Sequence, residues 1–356
     1  MRRCTRCVMP DTVPGIEFGD DGVCSFCRAY RKEEYLGKHE LDRIITSAKR
    51  CNAKYDCIVP LSGGRDSAFV LYVAKKIYDL RILAVNYDNE FRVHQAYVNM
   101  KNACRLLDVD FISVRSKRNA AKHIVLNSIR NALPSGLGAM SVCGACAYGY
   151  RSVVYIAADR YEVPLIIWGA SQAEDTFDME RKAKESASQS PKVSIVQKLL
   201  SASYYKVRFW TLLQRLEFPV KGNRRFSRGA PILKNRNTTE IRLFDYLPWD
   251  RKNIKEIIEG ELDWKRPSGH VSTWRIDCEL HSFVNHQYFS LLGCSKDCFG
   301  YCNMINSGTM SRSEALEQEE EMALSCARST PQLLERIGLS KREVREVVET
   351  LSSRSP

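Results

Sequence analysis

Apolar residues follow two rhythms along this 356-residue chain. Near-continuous runs occupy Tyr55–Leu61, Ile82–Tyr87, Phe111–Val114 and Val163–Trp168. Short runs without alternation predict strands covered on both faces. Between them lie stretches of helical period: Ala68–Ile77, Val93–Leu107, Asn119 to about Asn131, and Tyr148–Arg160. This alternation predicts an α/β fold built on a doubly wound parallel sheet. Upstream, Leu36, Leu41, Ile44, Ile45 and Ala48 fall near one face of a connector helix expected within 34–54. Downstream, helices are expected at Arg251–Glu259, Leu280–Leu292, Ser311–Cys326 (capped by Ser311-Arg312-Ser313-Glu314) and within Thr330–Leu351. Residues 178–240 break the pattern and are rich in Lys, Arg, Ser and Asn. The expected organisation is a small module over 1–30, an α/β domain over 31–177, a basic, partly mobile insertion over 178–240 and a mainly helical region over 241–356.

The first strand runs into Ser62-Gly63-Gly64-Arg65-Asp66-Ser67 and then directly into a helical segment. Adjacent glycines permit a turn that a Cβ would forbid. The helix start behind them aims free N–H groups and its positive dipole end into that turn, which suits phosphate. Ser62 and Ser67 can donate to phosphate oxygens, and Asp66 can cap the helix or hold a metal. The bland alternative is an ordinary capped βα turn. Ligands of such sheets sit beyond the carboxyl ends of the strands. Asn86, Tyr87 and Asp88 end the second strand and Gly169 follows the fourth, so they join the loop as candidates for holding a nucleotide.

Six of the fourteen cysteines fall in Cys-x2-Cys pairs. Sixteen residues separate the pair Cys4/Cys7 from the pair Cys24/Cys27, the spacing of a closed Cys4 zinc site in a ribbon of turns. Such a module folds around its metal. A second pair, Cys143 and Cys146, is expected at a helix start beside the nucleotide site, where a helix dipole favours thiolate. Cys294, Cys298 and Cys302 are candidates for a further site, and plain buried thiols are the alternative.

Composition narrows the class. Hydrophobic residues at 44% and charged residues at 27% describe an ordinary globular chain. No run of about 18 apolar residues is present, so no membrane span is expected. With no apolar stretch after Met1-Arg2-Arg3-Cys4, the expected location is the cytoplasm. A net charge of +12 favours polyanionic partners: nucleotides, sugar nucleotides or RNA.

The SGGRDS loop resembles that of the PP-loop ATP pyrophosphatases, the adenine nucleotide α-hydrolase superfamily, whose middle residue is often Lys where this chain has Arg65. The resemblance implies a HUP-type fold, ATP and Mg2+ at residues 62–67, adenine near Asn86–Asp88, and a homodimer. It further implies an acceptor oxygen that is adenylated with release of pyrophosphate, then displaced. Over nearly the whole chain, 178–240 matching poorly, the pattern is similar to N-acetyl sugar amidotransferases of surface-polysaccharide synthesis. The carriers are Cys4–Phe18 with Asp21–Cys27, Asp245–Asp250 and Ser311–Ala315. These enzymes use ammonia from a partner glutaminase. The Cys143/Cys146 pair departs from that pattern and resembles PP-loop tRNA 2-thiolation enzymes. There two such cysteines and a later one hold a 4Fe-4S cluster; Cys278 is the third candidate, with Cys294, Cys298 and Cys302 competing. In that reading a sulfur donor replaces the glutaminase, the acceptor is a tRNA base, a sugar or a small metabolite, and Asp66, Ser67, Cys143 and Cys146 carry catalysis. A third reading is a zinc-ribbon nucleic-acid-binding protein without activity.

Overall fold

The computed structural model describes residues 1–32, 34–49, 53–116, 119–132, 138–171, 238–268 and 275–353. Cys51, Trp274 and the segment 178–237 lie outside them.

Five parallel strands form the sheet: β1 (Cys57–Pro60), β2 (Ile82–Asp88), β3 (Asp110–Arg115), β4 (Leu165–Trp168) and β5 (Thr239–Arg242). Their order is β3-β2-β1-β4-β5. The chain moves outward from β1 through β2 to β3, then returns to β4 on the other side of β1. The switch point therefore lies between β1 and β4, where an open α/β sheet offers its crevice. Register aligns the strands beneath it: Pro60, the last residue of β1, stands beside Val85 of β2, and Ile58 stands beside Ile166 of β4.

Both faces are covered, as the continuous apolar runs predict. Cys57, Val59, Ile82, Ala84, Leu165 and Ile167 face one core; Ile58, Leu83, Val85, Tyr87 and Ile166 face another. On the first side pack α3 (Arg65–Tyr72), α4 (His94–Leu107) and α7 (Arg251–Leu262); on the second, α6 (Gly138–Arg160), which α5 (Ala120–Ala132) contacts while its Val125, Leu126 and Ile129 join the first core. Helix α3 continues as a π-helical turn, Val73–Ile77. The connector α2 is shorter than expected, Lys38–Lys49.

Three elements differ from expectation. Helix α6 begins at Gly138, so Cys143 and Cys146 lie inside it and not at its N-terminus. Strand β5 straddles the expected boundary at 240 and completes the sheet from beyond the basic segment. The C-terminal helices α8 (Leu280–Leu292), α9 (Cys298–Ser307), α10 (Arg312–Ile337) and α11 (Lys341–Ser352) include one that runs past Cys326 and through Pro331. Ser311 caps α10 as expected, accepting a hydrogen bond from the Glu314 amide. Among the described residues no helix is long and apolar enough to cross a membrane.

The first thirty residues wrap around buried Cys4, Cys7, Cys24 and Cys27, with a short helix α1 (Ser25–Ala29). They dock on the C-terminal helices. Arg312 donates to the carbonyls of Cys4 (3.2 Å) and Cys7 (2.9 Å), Arg3 to that of Gly293 (3.2 Å), and Thr12 to that of Leu292 (2.5 Å).

Candidate functional site

Beyond β1 the backbone turns at Gly63, whose φ of +81° few side chains tolerate. The turn is internally laced. Ser67 Oγ donates to the Gly64 carbonyl (3.1 Å), and the Ser62 amide donates to Ser67 Oγ (3.2 Å). Gly64 is the N-cap of α3 and supplies no side chain to cap its first turn. Across the switch point Gly169 meets this turn. A Cβ there would lie 3.1 Å from the Ser67 amide nitrogen. Its small size thus serves the close approach of the two loops.

A cavity of about 510 Å³ opens at this point. Ser62, Gly64, Arg65, Asp66, Ser67, Asn86, Tyr87 and Gly169 line it, together with Cys143, Cys146 and Cys278. Gly63 and Asp88 do not. Gly63 faces the backbone of α4, and Asp88 accepts hydrogen bonds from the Glu90 amide and the Arg115 guanidinium. Asn86 ties strand ends together: it donates to the Leu61 carbonyl (2.8 Å) and accepts from Ser113 Oγ (3.0 Å). Burial raises the Tyr87 phenol well above its ordinary pKa. Its ring lies against Gly149 of α6, where a Cβ would come within 2.5 Å of Cε1. An exposed helical Gly→Ala change stabilises by about 1 kcal/mol. Here Gly149→Ala should instead destabilise by about 1–3 kcal/mol, the cost of overpacking, which chemical denaturation would measure.

Asp66 takes an unexpected place. Both carboxylate oxygens are engaged by Arg65 (2.8 and 3.0 Å), and Oδ1 also accepts from Trp249 Nε1 (3.1 Å). It neither caps α3 nor presents a bare carboxylate to a metal. Arg65, in turn, lies buried over the Trp249 ring, 4.9 Å from its centroid.

The cysteines sort into three sets. Among the described residues, only Cys4, Cys7, Cys24 and Cys27 bring their sulfurs within 4.8 Å of one another, close enough for a single ion. Backbone amides of Cys7 and Cys24 donate to Cys4 Sγ (3.4 and 3.2 Å), and that of Met9 to Cys7 Sγ (3.4 Å). Such bonds stabilise thiolate. Cys24 beside it holds the Cys7 thiol far above its ordinary pKa, because crowded sulfurs cannot all ionise without a cation. The donor set fits Zn2+. Cys294, Cys298 and Cys302 are buried, with Cys302 beside Cys7, and their sulfurs do not gather to single-ion distance.

Cys143, Cys146 and Cys278 share the cavity wall. The Asn89 amide donates to both Cys146 (3.5 Å) and Cys278 (3.7 Å). Their sulfurs are too spread for one ion, and the convergence of three thiols on one cavity suits a larger polynuclear group. Burial pushes the Cys146 thiol up to about 11, opposite to the thiolate expected at a helix start. Metal loading here must displace protons, so apparent affinity falls as pH falls.

Sequence reading missed Arg92, Asp277, His281 and Lys296, all on this wall. Arg92, 9% exposed, donates to the carbonyls of Ser62 (2.6 Å) and Tyr87 (3.1 Å) and pairs with Asp277 (3.3 Å). Residues 91–93 also hydrogen-bond 277–279 along the backbone, with an antiparallel bridge between Arg92 and Cys278. That bridge brings Cys278 to the strand ends. Behind the wall, His281 pairs with buried Asp297 (2.9 Å).

The fold and site define a class: a doubly wound α/β protein with a glycine turn and helix N-terminus at its switch point. No protein-family model matches the chain. It is 33% identical over 114 residues to the uncharacterized protein MJ1599 of Methanocaldococcus jannaschii, a match covering 31% of this chain and 41% of that relative. Among solved structures it is similar to NMN synthetase from Francisella tularensis (13% identity, 86% of this chain and 98% of that one, TM-score 0.36). It is also similar to the U34-tRNA thiolase NcsA from Methanococcus maripaludis, solved with its 4Fe-4S cluster (13% identity, 87% of each chain, TM-score 0.37).

Proposed function

We propose that this chain is an ATP-using enzyme of the PP-loop type that adenylates an amide-like oxygen and replaces it. The supporting observation is the meeting of Ser62–Ser67, Asn86–Tyr87 and Gly169 around one cavity at the sheet's switch point. The acceptor oxygen attacks the α-phosphorus, and pyrophosphate leaves. The incoming nucleophile adds to the carbon, and AMP departs with the former oxygen. Turn amides and the Ser62 and Ser67 hydroxyls meet the charge on the phosphates, so catalysis is mainly positioning and electrostatics.

In the leading reading the nucleophile is ammonia from a partner glutaminase, and the acceptor is an N-acetyl sugar, which becomes an amidine. Its support is the sequence pattern at both ends of the chain. A second reading, sulfur transfer, is favoured by one specific observation: Cys143, Cys146 and Cys278 converge on the same cavity. These three would hold an iron–sulfur cluster, which supplies sulfur-carrying chemistry when bound.

Anaerobic purification separates the two. The sulfur reading predicts a brown protein with iron and sulfide in equal amounts, both lost in Cys143→Ala while zinc is retained. The nitrogen reading predicts a colourless zinc protein that forms AMP and pyrophosphate from ATP, ammonium and a nucleotide-linked N-acetyl sugar. ADP and phosphate as products would remove both.

A further inference from the structure

Two carboxylates line the cavity among the described residues, Asp66 and Asp277. Their surroundings are unequal. Asp66 has both oxygens occupied by Arg65, one of them also by Trp249. Asp277 is held through Oδ2 alone, by one long contact to Arg92 (3.3 Å). Its Oδ1 accepts no hydrogen bond from any described residue, and the side chain is 24% exposed. It also faces the turn directly: a Cβ on Gly64 would lie 3.9 Å from Asp277 Cγ.

A carboxylate facing a triphosphate is repulsive unless a cation sits between them. Mg2+ needs few protein ligands. It keeps several waters and is commonly held by one or two carboxylates plus substrate phosphates. We infer that Asp277, not Asp66, is the carboxylate that receives the magnesium of bound MgATP. The inference rests on the reading of Ser62–Ser67 as the triphosphate site. Arg92 acts as a positioning residue. It fixes Asp277 against the Ser62 and Tyr87 carbonyls, so the metal ligand, the phosphate turn and Cys278 move as one unit. The Arg65–Asp66–Trp249 contact then serves to hold the C-terminal segment onto the start of α3.

The test is calorimetric binding of ATP to the full chain, once in EDTA and once in excess Mg2+. Wild type, Asp277→Asn and Asp66→Asn are compared, with melting temperatures to confirm folding. Wild type should bind more tightly with Mg2+ by about 10- to 100-fold, the usual size of such coupling. Asp277→Asn should bind metal-free ATP as well as wild type or better, because a repulsive charge is gone, and should lose the Mg2+ enhancement. Asp66→Asn should keep the enhancement. Mn2+ spectra of the ATP complex should change in Asp277→Asn alone. If the enhancement survives in Asp277→Asn, or if that variant also loses ATP binding in EDTA, the assignment is wrong. If wild type binds no ATP in either buffer, the triphosphate reading itself fails first.

Discussion

Gly63→Ala should leave a folded protein that binds ATP on the order of 100-fold more weakly. The added Cβ would sit 2.2 Å from the Ala96 carbonyl oxygen and 2.8 and 2.9 Å from two further backbone atoms of α4. No flexible side chain is available to yield. Nor can the residue rotate away, because its own carbonyl accepts from Trp264 Nε1 (3.0 Å) and Asn99 Nδ2 (3.3 Å). An alanine in the left-handed region costs about 1–2 kcal/mol before any clash. The turn must therefore shift outward, carrying the Gly64–Ser67 amides with it. Displacement of about 1 Å in a positioning group costs on the order of 100-fold, and calorimetry should show an affinity loss of that size. Wild-type affinity in Gly63→Ala would mean that the turn does not contact the nucleotide.

Removing the metal expected at the cysteine quartet should cost more stability than any single core substitution. Structural zinc supplies roughly 10–16 kcal/mol of folding free energy in small cysteine modules. Here the module is also welded to α8, α9 and α10 through Arg312, Arg3, Thr12 and the bond from Asn306 to Cys27 Sγ (3.3 Å). Behind it sits Glu319, whose carboxyl burial pushes up to about 7 and which accepts from the Ser295 amide and hydroxyl. Chelation or Cys24→Ser should lower the melting temperature by about 10 °C or more and expose the C-terminal helices to protease. Loss of one equivalent of zinc with an unchanged melting curve would make the quartet an ornament of the surface.

Much of this was legible in the residues, and the gaps have physical causes. The four apolar runs announce strands because strands covered on both faces cannot alternate. The turn after β1 was visible because adjacent glycines ending such a run have few other uses. Strand β5 was not visible: Thr239-Glu240-Ile241-Arg242 is an edge strand with one apolar residue, and only pairing with β4 makes it a strand. The start of α6 was hidden because Gly138, Gly144 and Gly149 are poor helix formers that erase the apolar stripe. Helix α10 passes Pro331, a residue that usually marks a stop. Asp277 and Arg92 carry no local signature at all. Their roles come from a backbone bridge between segments about 185 residues apart, as the Arg92–Asp277 pair records.

Amide hydrogen exchange with and without ATP tests the central claim most directly, since it needs neither the acceptor nor the nitrogen or sulfur donor. ATP should slow exchange at Gly63–Ser67 and at Gly169–Ala170, on the two sides of the switch point, and leave the cysteine module unchanged. Saturable binding that protects some other surface, with the 63–67 amides exchanging as fast as before, would contradict it.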